Sequence, residues 1–120
     1  MPISVLVIDD SPLVSKMVTK ALEGTDYNVV DSALNGQIGL EKYAQLRPDV
    51  VTLDVTMPIM DGLETARGLF RADPNVKIIL LSAMGDETLL NEAREIGVRH
   101  FLTKPFKPDA LKAHLADLFG

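Results

Sequence analysis

Five polar residues of this 120-residue chain fall where short apolar runs end: Asp9 and Asp10, Asp54, Ser82 and Lys104. Their types suit phosphoryl transfer. Three carboxylates bring a charge of −3 at full ionisation, and packed together without compensation they repel, so that at least one pKa should rise. Lys104 supplies +1, and a divalent cation would supply the other +2. Oxygen ligands with no histidine or cysteine nearby favour Mg2+, with Mn2+ as the alternative, over zinc. A few protein oxygens completed by water suit Mg2+ in particular. A metal neutralises charge on a transferring phosphoryl group, while a lysine and a hydroxyl clamp its other oxygens. The acceptor can be an aspartate, which then forms an acyl phosphate. Asp54 is the candidate, because it closes the apolar run 50–53 and Met57-Pro58 stops the strand behind it.

The elements that must position these groups follow from hydrophobic pattern. Apolar runs at 4–8, 50–53 and 77–81 read as strands buried on both faces. Residues 27–33 form a further strand, whose Asp31 suits a sheet edge, and 100–103 a shorter one. Between them lie helices at 13–23, with Ser11 as cap and Pro12 in the first turn, at 37–46, at 63–71, from a cap at Asp86 to Ile96, and from Pro108 to about 118. Gly24, Pro48 and Gly97 mark stops. Five strands alternating with five helices, and no repeat, linker or second-domain boundary, predict one α/β domain over residues 1–120. Its sheet is a doubly wound, five-stranded parallel one of order 2-1-3-4-5. In such a sheet ligands bind beyond the carboxyl ends of the strands, where the strand order reverses. Asp9, Asp10, Asp54, Ser82 and Lys104 all fall at that rim. Singly, each has a duller role: a helix-preceding cap for Asp9 or Asp10, a turn hydroxyl for Ser82, a surface charge for Lys104. Independent accidents would fall on both ends of the strands.

Composition excludes other classes. A formal net charge of −5 disfavours nucleic acid and anionic membrane. The absence of cysteine removes disulfides, thiol catalysis and cysteine-based zinc sites. The N-terminus lacks signal-peptide features, and no apolar run approaches the roughly 20 residues needed to cross a bilayer. A cytoplasmic protein is expected.

Four segments then resemble the response-regulator receiver domain of two-component systems, most of all its single-domain chemotaxis type. They are Val-Ile-Asp-Asp-Ser at 7–11, Leu-Asp-Val-Thr-Met-Pro-Ile-Met-Asp-Gly at 53–62, Leu-Leu-Ser-Ala at 80–83 and Phe-Leu-Thr-Lys-Pro-Phe at 101–106. The resemblance covers the whole chain and implies a flavodoxin-like (βα)5 phosphoprotein. By it Asp54 is the phosphoacceptor, Asp10 the direct Mg2+ ligand with Asp9 acting mainly through water, and the Thr56 carbonyl a third protein ligand. Ser82 is the switch hydroxyl, Lys104 the cation paired with the phosphoryl group, and Phe101 the switch aromatic, here without the hydroxyl of the commoner tyrosine. The Lys104–Pro105 bond is expected to be cis. Implied partners are a histidine kinase or histidine phosphotransfer domain and an output protein or domain, with docking near Leu13 and around Pro105-Phe106. Implied catalysis is limited to the domain's own phosphorylation and dephosphorylation.

Two other functions fit parts of the pattern: an aspartyl-phosphate-forming phosphatase or phosphotransferase, and a binding module independent of phosphorylation. Against the first, Thr56 stands where such enzymes carry a second acid, and no cap is inserted to hold a substrate. The complete residue set argues against the second. The remaining candidates read as bland. His100 and His114 are taken as structural or surface residues, and Arg94 and Arg99 as solvated. Met57, Met60 and Met84 are taken as packing or loop cover, and Phe106 as part of the docking patch.

Overall fold

A strand with helices on both sides is buried on both faces, and two strands of the chain are buried along their whole length. In the computed structural model, which describes residues 2–55, 57, 60–83 and 85–119, β3 (Val50–Asp54) and β4 (Ile78–Ser82) are buried at every position. With β1 (Ile3–Ile8), β2 (Tyr27–Ala33) and β5 (His100–Thr103) they form a sheet of order β2-β1-β3-β4-β5. Every neighbouring pair is parallel. The intervening helices are α1 (Pro12–Ala21), α2 (Gly36–Leu46), α3 (Gly62–Ala72), α4 (Glu87–Ile96) and α5 (Pro108–Phe119).

Alternation along each strand divides the core in two. Leu6, Ile8, Val51, Leu53, Ile78 and Leu80 face one side, where α2, α3 and α4 bring Tyr43, Ala66, Leu69 and Ala93. Val5, Val7, Val50, Ile79, Leu81 and Leu102 face the other, where α1 and α5 bring Val18, Ala21, Leu111 and Leu115. Fully burying one such side chain stabilises the fold by roughly 1.5–3 kcal/mol. The sheet that holds the polar rim is therefore stiff. The edge strand β2 slips register between Val5 and Leu6 of its partner, skipping Val30, so its exposed edge carries a bulge. No helix among the described residues is long and apolar enough to cross a membrane.

Local details depart from the sequence reading in informative ways. Asp54 and Ser82 are the last residues of β3 and β4 rather than the first beyond them. Ser11 occupies the α1 cap position, yet its side chain makes no capping bond; its N–H instead donates to Asp9 Oδ1 at 2.9 Å. Asp86 precedes α4 and its carbonyl accepts the Leu90 N–H, but its carboxylate makes no capping bond, because it turns back to accept the Ala83 N–H at 2.8 Å. The spacing of Val14, Met17, Val18 and Ala21 puts Met17 on one apolar face of α1, yet it is 38% exposed. Asn35 and Asp61 do cap α2 and α3, accepting from Ile38 N–H and Glu64 N–H.

Candidate functional site

The rim is built by backbone register. Asp9 follows β1, and its N–H donates to the Ala33 carbonyl at 2.9 Å. Asp54 closes β3 opposite Leu81, and Ser82 closes β4 opposite Thr103. Lys104 is the first residue past β5, and its N–H donates to the Ser82 carbonyl at 2.7 Å. One hydrogen bond thus ties the lysine's backbone to the hydroxyl residue. Gly62 serves the same rim from α3. Its N–H donates to the Val55 carbonyl at 2.9 Å, and a Cβ there would run into the Asp54 carbonyl oxygen and Val55 Cα. Only a glycine lets the start of α3 lie this close to the end of β3.

Oxygens of Asp9, Asp10 and Asp54 all lie within 4.8 Å of one another. Asp9 and Asp54 are buried, at 2% and 5% exposure, whereas Asp10 is exposed. Lys104 Nζ donates to Asp9 Oδ2 at 2.9 Å and stands 3.4 Å from Asp54 Oδ1. Burial pulls the Lys104 pKa down. The hydrogen bond to Asp9 and the charges of Asp54 and Asp9 more than offset that, and the net shift is upward from 10.5. The lysine is therefore a cation at any neutral pH. One lysine leaves three clustered acids short of positive charge. An all-oxygen donor set beside exposed Asp10 fits a hard, hydrated divalent cation such as Mg2+. Thr56, whose carbonyl the resemblance offers as a ligand, lies outside the described residues, as do Pro58 and Met84.

The structure brings Asp9, Asp10, Asp54 and Lys104 into one cluster, with Ser82 buried on the adjoining strand end. The Lys104–Pro105 peptide is cis. Phe101 is half-buried against the α2–α3–α4 side of the core. Arg94 and Arg99 are exposed, as read from the sequence, and each also has protein partners. The Arg94 guanidinium lies over the Phe101 ring, 4.8 Å from the centroid, and donates to Asn91 Oδ1. Arg99 donates to the carbonyls of Arg94 and Val98. One sequence reading needs correction here: Phe106 is a core residue, 9% exposed among Leu102, Leu111 and Leu115, so it offers little to a docking patch. Met57 is buried, as packing requires, and Leu13 stands 64% exposed.

Sequence reasoning missed Asp86, which holds the amide of the residue after Ser82, and Arg94, which covers Phe101. Asp86 carried only the signal of a helix cap, whereas its carboxylate bonds backward to Ala83 rather than forward into α4. Arg94 carried none, because its contact depends on how α4 packs on β5.

The Response regulator receiver domain family matches residues 5–116. Chemotaxis protein CheY of Thermotoga maritima is 40% identical over 104 residues, covering 87% of both chains. A protein-glutamate methylesterase/protein-glutamine glutaminase of Halalkalibacterium halodurans is 44% identical over 112 residues, which are 91% of this chain and 32% of that protein. Among solved structures, the CheX–CheY–BeF3–Mg2+ complex from Borrelia burgdorferi superposes with a TM-score of 0.93 at 31% identity, covering 100% of this chain and 91% of that one.

Proposed function

Since this chain belongs to the response regulator receiver family, we propose that it is a phospho-switch over its whole length, with Asp54 as acceptor. The observation that carries the reading is the position of the Asp54 carboxylate. It is buried at a strand end, with Lys104 Nζ 3.4 Å from one oxygen and two further acids within 4.8 Å. An Asp54 oxygen attacks the phosphorus of a phosphohistidine on a histidine kinase or phosphotransfer domain. The P–N bond breaks, and its electron pair leaves with the imidazole nitrogen. Lys104 stabilises the charge developing on the phosphoryl oxygens. Ser82 offers its hydroxyl to another of them. Asp9, Asp10, Asp54 and the Thr56 carbonyl would hold Mg2+, which supplies charge neutralisation for the transferring group.

Once phosphate sits on Asp54, Ser82 is drawn toward it and Phe101 follows into the vacated space. The population then shifts to a second surface over α4 and β5 that an output protein reads. Water later hydrolyses the acyl phosphate and resets the switch. This reading places the protein in the cytoplasm with its donor. Its support is the family membership and the CheY relatives; the Borrelia complex is of a CheY with BeF3, Mg2+ and a partner.

The test is labelling with a small acyl-phosphate donor and Mg2+. The unaltered chain should gain one phosphoryl group, labile to hydroxylamine, and Asp54→Asn should gain none. Equal labelling of that variant, or turnover of phosphate monoesters by the unaltered chain, would overturn the reading.

A further inference from the structure

The two histidines, read from sequence as bland, meet. His100 opens β5 and His114 lies on α5, and their Nδ1 atoms are 3.3 Å apart with the rings at 87°. Both are half-buried. We propose that this pair is a chelating site for a borderline transition-metal cation, zinc being the best fit, separate from the acidic cluster. The separation is built into β5: His100 is its first residue, while Lys104 of the acidic cluster follows its last.

The distance is the first argument. Zinc binds imidazole nitrogen at about 2.0–2.1 Å, and two such ligands at the tetrahedral angle stand about 3.3–3.4 Å apart. The pair already has that spacing without movement of β5 or α5. Ligand type is the second. Neutral imidazole suits zinc, copper and nickel, whereas the all-oxygen rim suits Mg2+, so the two sites select different ions. Charge is the third. Burial, and then the facing His100 ring, push His114 below its usual 6.5, and Asp117 pulls it partly back. The His114 ring is then neutral at neutral pH, and the Asp117 charge favours a cation. Arg99, the adjoining cation, is turned to the carbonyls of Arg94 and Val98.

When the pair is empty, one ring donates Nδ1–H to the other ring's bare Nδ1. Metal binding needs both Nδ1 atoms bare and both ring protons on Nε2. A ring that is protonated must release its proton, so affinity falls as pH drops. Two positions of the tetrahedron stay open to water, or to the same pair of a second copy.

The experiment is calorimetric titration of zinc into the full chain at neutral pH, with millimolar Mg2+ present to occupy the acidic rim. Imidazole proton–nitrogen spectra are recorded at each step. The expected result is one zinc per chain, or one per two chains where two copies share an ion, with both Nδ1 signals shifting. His100→Gln and His114→Gln should each weaken binding at least about tenfold, while Asp10→Asn should leave it unchanged. Absence of zinc binding, unshifted Nδ1 signals, or an affinity in either glutamine variant equal to that of the unaltered chain would overturn the proposal. If the variants fail to fold, the ring spectra of the unaltered chain decide it alone.

Discussion

Replacing Lys104 with methionine keeps much of the side chain's volume and removes its charge. Nζ stands 2.9 Å from Asp9 Oδ2 and 3.4 Å from Asp54 Oδ1. At an effective dielectric of about 20 these are gross attractions of about 6 and 5 kcal/mol, much of it already offset by desolvation. Removing one partner of a fully buried pair typically costs about 3–5 kcal/mol. Here the Asp9 side chain is 0% exposed but that of Lys104 is 28%, so solvent screens part of the interaction. A loss of about 2–3 kcal/mol is therefore expected in metal-free buffer at neutral pH. A domain of this kind has roughly 5–15 kcal/mol in hand, so the variant folds and the difference is measurable. The assay is urea unfolding followed by circular dichroism, since the chain has no tryptophan.

The same variant makes two further demands on the reasoning. Mg2+ can supply the missing positive charge, so it should stabilise Lys104→Met more than the unaltered chain. The gap in stability should also form a plateau in pH. It closes in alkali. A lysine whose folded pKa is raised contributes fully below 10.5, and that contribution is lost as pH rises through the folded value. Equal stability of the two proteins in chelator at neutral pH would refute the argument. So would a gap that persists undiminished as pH rises through the folded lysine's titration, which would assign the lysine's contribution to its hydrocarbon stem.

Gly62→Ala forces a methyl group onto the Asp54 carbonyl oxygen and Val55 Cα, and overpacking of this kind costs about 1–3 kcal/mol; urea unfolding should show it and, on the proposed function, labelling by a phosphodonor should slow because Asp54 is displaced. Tyr43→Phe loses the 3.1 Å bond to Asp73 and about 1 kcal/mol. Burial first, then that bond, pushes Tyr43 up to about 12, so its contribution is present below pH 10.0 and lost as pH rises toward 12, which ultraviolet titration of the folded protein reads directly. His114, held below 6.5 mainly by burial, favours its neutral form in the folded state, so stability should fall as pH drops below 6.5, and His114→Asn should flatten that slope in a series of melting curves.

How much of this was legible in the sequence depends on which physics sets each feature. The doubly apolar runs and their alternation with helices specified the sheet, because only a parallel sheet covered on both faces buries such strands, and β2 and β5 have the bounds their composition suggests. The rim followed from topology alone, since any residue closing a strand in that sheet reaches it. Side-chain partners did not follow. Ser11 looked like a cap, but Asp9 holds its amide from outside the helix. Phe106 sits in a loop, where no periodicity reports burial, and the space between α1 and α5 takes it into the core. His100 and His114 are fourteen residues apart and meet only because α5 folds back along β5. Local pattern gives faces and ends; contacts between elements come from packing angles that no single segment encodes.

Lys104 is shared unequally, and the inequality bears on how the site would work. Its ammonium is closer to Asp9 than to Asp54, so the Asp54 carboxylate is not the lysine's principal partner. On the proposed reading this arrangement suits the acceptor. A lysine bound tightly to Asp54 would occupy the oxygens that must attack phosphorus and would have to be displaced first. Held mainly by buried Asp9, it stays charged and within reach, and arrival of a phosphoryl group on Asp54 brings new negative charge to its side of the site. The lysine can then turn to the phosphoryl oxygens while Asp9 is released toward a cation, and each move makes the other less costly. Coupling of this kind predicts that Mg2+ and a phosphoryl mimic strengthen one another's binding, and that Asp9→Asn, which frees Lys104 to settle on Asp54, weakens the mimic as well as the metal. Equilibrium titrations of beryllofluoride with and without Mg2+ measure that coupling. Equal beryllofluoride affinity in the two conditions would show that the lysine's division between Asp9 and Asp54 has no part in the switch.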